Sequence, residues 1–95
     1  MDKIKLEKKA NILKNDIESK ISNLENKYEN YSGNAKEEIK ASIERLKEKR
    51  SEVENNAEKL AQATEETLDR IDTKLVSASE EFEKGFKKIG ELFDK

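Results

Sequence analysis

The chain has 95 residues, 44% of them charged and 33% hydrophobic, with a formal net charge of −2 and no Cys, His or Pro. So few apolar residues exclude a thick globular core, because a compact domain is usually nearer half apolar. The lack of Cys and His removes disulfides, thiol chemistry and the commonest general base and transition-metal ligand.

Helical spacing of the apolar residues favours long helices that meet along narrow seams over intrinsic disorder. The three glycines are isolated, so there is no glycine-rich phosphate loop, and no nucleophile has a neighbouring base. We therefore expect a protein that is not an enzyme and has no cofactor and no metal site. Nothing approaches the roughly 20 apolar residues of a membrane span, and no signal peptide is present, so we expect a cytoplasmic location.

The first predicted element is a helix over residues 3–31. Its apolar positions recur at steps of three and four: Leu6, Ala10, Leu13, Ile17, Ile21, Leu24, Tyr28 and Tyr31. Charged pairs on the other faces contribute only about 0.2–0.5 kcal/mol each. The packing of the apolar line must therefore hold this helix in place.

The clearest break in the sequence is the turn Ser32-Gly33-Asn34. Gly33 suits the left-handed conformation that ends many helices. Asn34 is a good N-cap, and Glu37 stands three residues later, as a capping box requires. The sequence therefore predicts an αα-hairpin whose two helices are antiparallel neighbours.

The second apolar stripe begins at Ile39 and ends at Phe93, covering 54 residues in 15 steps, a mean of 3.6 residues per step. That is the period of a straight α-helix, and no Gly or Pro falls between Asn34 and Lys84. The favoured prediction is one continuous helix over residues 35–93 in a single helical domain, residues 1–95. Such a helix would be roughly 88 Å long against roughly 43 Å for the first, so half of the stripe would lack a cover.

Two arrangements cover that half. In the favoured one, a second copy of the chain packs on it, giving a homodimer or another homo-oligomer. The predicted self-association residues are Leu60, Thr64, Leu68, Ile71, Leu75, Phe82, Phe86, Ile89 and Phe93. The alternative is a three-helix bundle with a second turn near residues 55–64, where Asn55-Asn56 has turn chemistry and Thr64 suits an N-cap.

Two further segments raise functional alternatives. Residues 82–93 contain all three Phe, and we interpret them as an aromatic plug at the end of a bundle or dimer, or as an amphipathic segment that touches a membrane surface. The basic cluster at residues 45–50 is interleaved with Glu, so its field nearly cancels and we expect no nucleic acid partner. Within it, Arg50 lies on the apolar stripe and is predicted to extend its stem along the seam with its head in water. The alternative is a charge that fixes the register between helices.

The pattern Leu46-x-x-Lys49-Arg50-x-Glu52-x-Glu54, followed by Leu60, Ala63, Glu65-Glu66 and the aromatic end, resembles a family of small bacterial coiled-coil proteins. Members are often labelled hypothetical or stress-response proteins. The resemblance implies no enzyme activity and no cofactor. The leading hypothesis is thus a non-enzymatic structural or interaction protein that self-associates and acts in a stress response. The alternative is a peripheral lipid-binding protein that acts through residues 82–93.

Overall fold

A computed structural model describes residues 2–94 of the chain. Within that range the chain forms α1 (Lys3–Asn30), α2 (Lys36–Lys59) and α3 (Glu65–Phe93), with one 3-10 turn at Leu60–Gln62. The prediction of an all-α fold is confirmed. The helices form a narrow bundle with extents of 49 × 17 × 15 Å.

The first connection lies where the sequence placed it, because Ser32, Gly33 and Asn34 separate α1 from α2. Two details of that prediction are wrong. No described residue has a positive φ, so Gly33 is not left-handed, and the N-cap of α2 is Ala35 instead of Asn34. A Cβ at Gly33 would overlap the phenol of Tyr31, so any other residue there requires that side chain to move.

The second connection corrects the prediction of a continuous helix over residues 35–93 and matches the alternative turn near residues 55–64. After the 3-10 turn, Ala63 and Thr64 are extended, with ψ of 142° and 168°. The N–H of Thr64 donates to Oγ1 of Thr67 at 2.9 Å, and the N–H of Thr67 donates to the carbonyl oxygen of Thr64 at 3.0 Å. Thr64 is therefore the N-cap of α3.

The helix breaks here because folding back covers the stripe within one chain. A turn gives up a few backbone hydrogen bonds, each worth about 1 kcal/mol net. Each large apolar side chain that α3 then buries contributes about 1.5–3 kcal/mol. Those side chains are Leu68, Ile71, Leu75, Phe82, Ile89 and Leu92. Their burial outweighs the cost of the turn, although the apolar spacing runs through it unchanged.

All three helices share one hydrophobic core, with α1 and α3 parallel to each other and α2 antiparallel to both. At one end Nζ of Lys3 donates to the carbonyl oxygen of Ala61 at 3.3 Å, and at the other end Tyr31 contacts Phe93. The buried core residues come from every helix: Leu6, Ala10, Ile17, Ile21, Leu24, Ala35, Ile39, Ile43, Leu46, Val53, Leu60, Leu68, Ile71, Leu75, Ala78, Phe82, Ile89 and Leu92.

Ion pairs connect each pair of helices along the rims of this core. They are Lys9–Asp72 and Lys20–Glu83 between α1 and α3, Lys47–Glu25 and Arg50–Glu18 between α1 and α2, and Lys49–Glu81 between α2 and α3. Nε of Arg50 lies 3.6 Å from Oε1 of Glu18, and its side chain is 29% exposed, so Arg50 lies at the rim between α1 and α2. Exposed pairs of this kind contribute about 0–1 kcal/mol each.

Candidate interaction surface

Eight of the nine residues predicted to drive self-association are buried or half-buried within one copy of the chain. Six of them are core residues with 0–6% of their surface exposed: Leu60, Leu68, Ile71, Leu75, Phe82 and Ile89. Phe86 and Phe93 are half-buried against the same core, and Thr64 is exposed as the N-cap of α3. Helices α1 and α2 of the same chain cover most of this stripe.

The aromatic segment over residues 82–93 is also packed. The rings of Phe82 and Phe86 stack with centroids 6.3 Å apart, and Nζ of Lys20 lies 5.3 Å from the centroid of Phe86. Phe93 stands against Tyr31 at the end of the bundle. The segment therefore forms the predicted aromatic plug and leaves little of its apolar face for a membrane.

The exposed apolar surface lies instead on α1. Ile4 and Ile12 are the exposed large hydrophobic residues within the described range, with 65% and 68% of their surfaces accessible. They stand eight residues apart with Lys8 midway, and helical residues four apart are neighbours on one face. This face is opposite to the core residues Leu6 and Ala10 of the same helix.

Lysines surround the two isoleucines. The side chains of Lys5, Lys8 and Lys9 line a shallow, mainly aliphatic depression together with Ile12 and Leu13. Lys9 is held by Asp72 at 2.8 Å, whereas Lys5 and Lys8 form no ion pair or hydrogen bond within residues 2–94. We call the exposed set Ile4, Lys5, Lys8 and Ile12 the α1 outer patch.

The charge around the α1 outer patch is positive. Residues 2–14 contain five lysines and two acids, a net charge of +3. Beyond the third turn the outward line of α1 continues with the exposed, uncharged residues Asn15, Ser19 and Asn26. The combination of apolar and basic side chains is therefore confined to the first three turns of the helix.

Sequence reasoning missed this patch, although its signal was present. Ile4 and Ile12 are the two isoleucines of α1 that fall outside the apolar line through Leu6 and Ile17. Their spacing of eight, with Lys8 between them, places them together on a second face. Large apolar residues on the polar face of an amphipathic helix are the sequence pattern from which the patch can be predicted.

A second feature lies in the groove between the end of α2 and the start of α3. Nδ2 of Asn56 donates to the carbonyl oxygen of Glu52 at 2.8 Å, while its buried Oδ1 has no hydrogen-bond partner. The groove has a volume of about 720 Å³ and is lined by Lys59, Arg70 and Lys74 among others. Asn56 is one of the residues that line this groove.

The basic cluster predicted to be electrically balanced is paired across the bundle. Lys47 and Arg50 form ion pairs with Glu25 and Glu18 of α1, respectively.

Within residues 2–94, no group of three His, Cys, Asp or Glu residues is arranged to hold a metal ion. Over the same range, none of the helices combines the length and apolar character needed to cross a membrane.

Comparison of the chain with protein-family models, with curated proteins and with solved structures finds no match. The resemblance to small bacterial coiled-coil proteins therefore stays a prediction.

Proposed function

We propose that this chain is a non-enzymatic interaction protein, a narrow three-helix rod that binds its partner through the α1 outer patch. The observation that carries the proposal is the contrast among the isoleucines. Six of the eight are only 0–6% exposed, whereas Ile4 and Ile12 are 65% and 68% exposed. Full burial of such a side chain contributes about 1.5–3 kcal/mol, so a partner that covers both would gain binding free energy that the fold does not use.

The position of the patch supports binding without rearrangement of the fold. Ile4, Lys8 and Ile12 lie on a regular helix that is held by its N-cap, where Oδ1 of Asp2 accepts from the N–H of Ile4 at 2.9 Å. A partner would meet side chains that are already fixed in register along one helical line. Such preorganisation lowers the entropic cost of binding.

Self-association was the predicted mode, and the described fold makes it the weaker candidate. The stripe is inside the core, so a second copy reaches it only if the bundle opens. A symmetric contact through the α1 outer patch would bring Lys5 and Lys8 of both copies together, and like charges disfavour such a contact. We expect sedimentation equilibrium to give the mass of a monomer, 11.0 kDa. The role in a stress response and the cytoplasmic location remain predictions.

Photo-crosslinking in cells that express the chain tests the proposed surface. A photoreactive amino acid replaces Lys8 in one variant and Asn26 in another, because both positions face outward on α1. We expect adducts at position 8 that disappear when Ile4→Ser and Ile12→Ser are added. Adducts at position 26 should be far weaker. Equal labelling at both positions, or labelling that ignores the two isoleucines, would reject the α1 outer patch as the binding surface.

A further inference from the structure

We infer that the partner of the α1 outer patch is the surface of a membrane that carries anionic lipids. This inference rests on the proposed function and names the partner of the same surface. Ile4 and Ile12 would enter the headgroup region while Lys5 and Lys8 contact lipid phosphates. The apolar side chains of residues 82–93, which the sequence suggested for this role, are buried in the core or half-buried against it.

The shape of the patch fits a plane better than a pocket. Ile4 and Ile12 are separated by roughly 12 Å along the helix at 1.5 Å per residue. Both project from the outer side of α1, opposite to its core side. A flat surface reaches both side chains at once, and Lys8 between them can extend its ammonium group to the phosphate level while its stem stays among apolar groups.

The charge of the molecule fixes its orientation on such a surface. Residues 2–14 have a net charge of +3, whereas residues 65–83 of α3 contain seven acids and two bases, a net charge of −5. An anionic surface therefore attracts residues 2–14 and repels residues 65–83. Each lysine near an anionic membrane strengthens binding about fivefold, and Lys5 and Lys8 are free of ion pairs in the described structure.

Other classes of partner explain fewer of the side chains in the α1 outer patch. Nucleic acid would use the lysines, but exposed isoleucines do not contribute to contacts with phosphate. A second copy would place lysine against lysine. An acidic protein shares the charge requirement and is separated from a membrane by the experiment below.

The test is co-sedimentation of the full chain with vesicles of phosphatidylcholine alone or with about 30% phosphatidylglycerol. We expect binding to the anionic vesicles only, and loss of that binding at about 0.5 M NaCl, where charges are screened within a few ångströms. The double variant Lys5→Gln/Lys8→Gln should bind about 25-fold more weakly. The double variant Ile4→Ser/Ile12→Ser should bind about tenfold more weakly at unchanged charge.

The control variant is Lys27→Gln/Lys40→Gln, which removes the same charge from exposed lysines outside the patch. It should keep most of the binding, and circular dichroism should show that all variants retain the helical fold. Equal loss in the control and patch variants would show binding by net charge alone and would overturn the inference. So would equal binding to neutral vesicles, or no binding to either kind.

A parallel titration with poly-glutamate separates this inference from the proposed function. Patch-dependent binding to poly-glutamate without binding to vesicles would overturn the membrane inference and leave a protein-binding surface in place. In the crosslinking experiment, labelling of position 8 that is independent of Ile4 and Ile12 would overturn the membrane inference and the proposed function together.

Discussion

The ring of Tyr31, in the connection between α1 and α2, stands edge-on to the ring of Phe93 at the end of α3. Their centroids are 5.4 Å apart and their planes are inclined at 82°. This contact joins two residues that are 62 positions apart in the chain. It forms because α3 runs back along the hairpin, and it closes the end of the core beneath the first turn.

Removal of the Phe93 ring should loosen this end. Full truncation of a core Phe costs about 3–5 kcal/mol, and Phe93 is half-buried, so we expect Phe93→Ala to lower the free energy of unfolding by about 2 kcal/mol. Urea denaturation measures the change. Phe93→Leu is the control, since it keeps much of the apolar burial and loses mainly the edge-to-face term of about 0.5–1.5 kcal/mol. An unchanged midpoint for Phe93→Ala would show that the end of α3 does not pack on the turn.

The two glycines of α3 should respond in opposite ways to alanine. A Cβ at Gly90 would meet nothing within 4 Å, so Gly90→Ala should raise the free energy of unfolding by about 1 kcal/mol through helix propensity. A Cβ at Gly85 would lie 2.8 Å from Cδ2 of Leu46, so Leu46 must move and the same gain is largely cancelled. Thermal unfolding of the two variants side by side gives the comparison. Equal stabilisation would mean that α2 and α3 are further apart than the structure places them.

Asn56 has a buried carbonyl oxygen without a hydrogen-bond partner. Such a group costs about 1–3 kcal/mol, and the neighbouring α2 residues Val53 and Leu60 belong to the apolar core. We expect Asn56→Leu to raise the free energy of unfolding by about 1 kcal/mol more than Asn55→Leu. The exposed neighbour Asn55 gains the same helix propensity without altering a buried group. Chemical denaturation of both variants measures the difference, and a smaller gain for Asn56→Leu would show that its amide is solvated in the groove.

The ion pair between Lys49 and Glu81 should give the fold a pH-dependent contribution. The hydrogen bond from Lys49 lowers the pKa of Glu81 from its ordinary value of 4.5. A carboxyl whose pKa is lowered by folding stabilises the fold above its unfolded pKa, and the contribution is lost as pH falls through the folded value. The pKa of Lys49 is raised from 10.5, chiefly by its hydrogen bond to Glu81, so its contribution is lost at alkaline pH, as pH rises through the raised value.

Thermal unfolding of the wild type and Glu81→Gln between about pH 3 and pH 7 checks the predicted direction of the pH dependence of stability. We expect the variant to be slightly less stable at neutral pH and equal to the wild type at the acid end. Glu48→Gln, at an exposed position on α2 that forms no ion pair in the described structure, serves as the control. A difference that grows toward acid pH would contradict the role assigned to Glu81.

Local features of the sequence determined the helical structure and the place of the first connection, and they offered two candidate places for the second. The 3.6-residue spacing predicted helical structure throughout, and Ser32-Gly33-Asn34 marked the first turn because no long apolar residue falls there. Thr64 was recognised as a suitable N-cap for the second. Since Val53, Ala57 and Leu60 keep their phase up to that turn, periodicity alone favoured an unbroken helix.

Only the tertiary structure decided that the chain folds back at Ala63 and Thr64. Covering Leu68 and Leu75 with the chain's own α1 and α2 requires no second molecule and therefore no loss of translational freedom, whereas dimerisation would. That choice moved six of the nine predicted self-association residues into the core and left Phe86 and Phe93 half-buried against it. It left Ile4 and Ile12 outside, because one narrow seam per helix can bury only the side chains that face the other two helices.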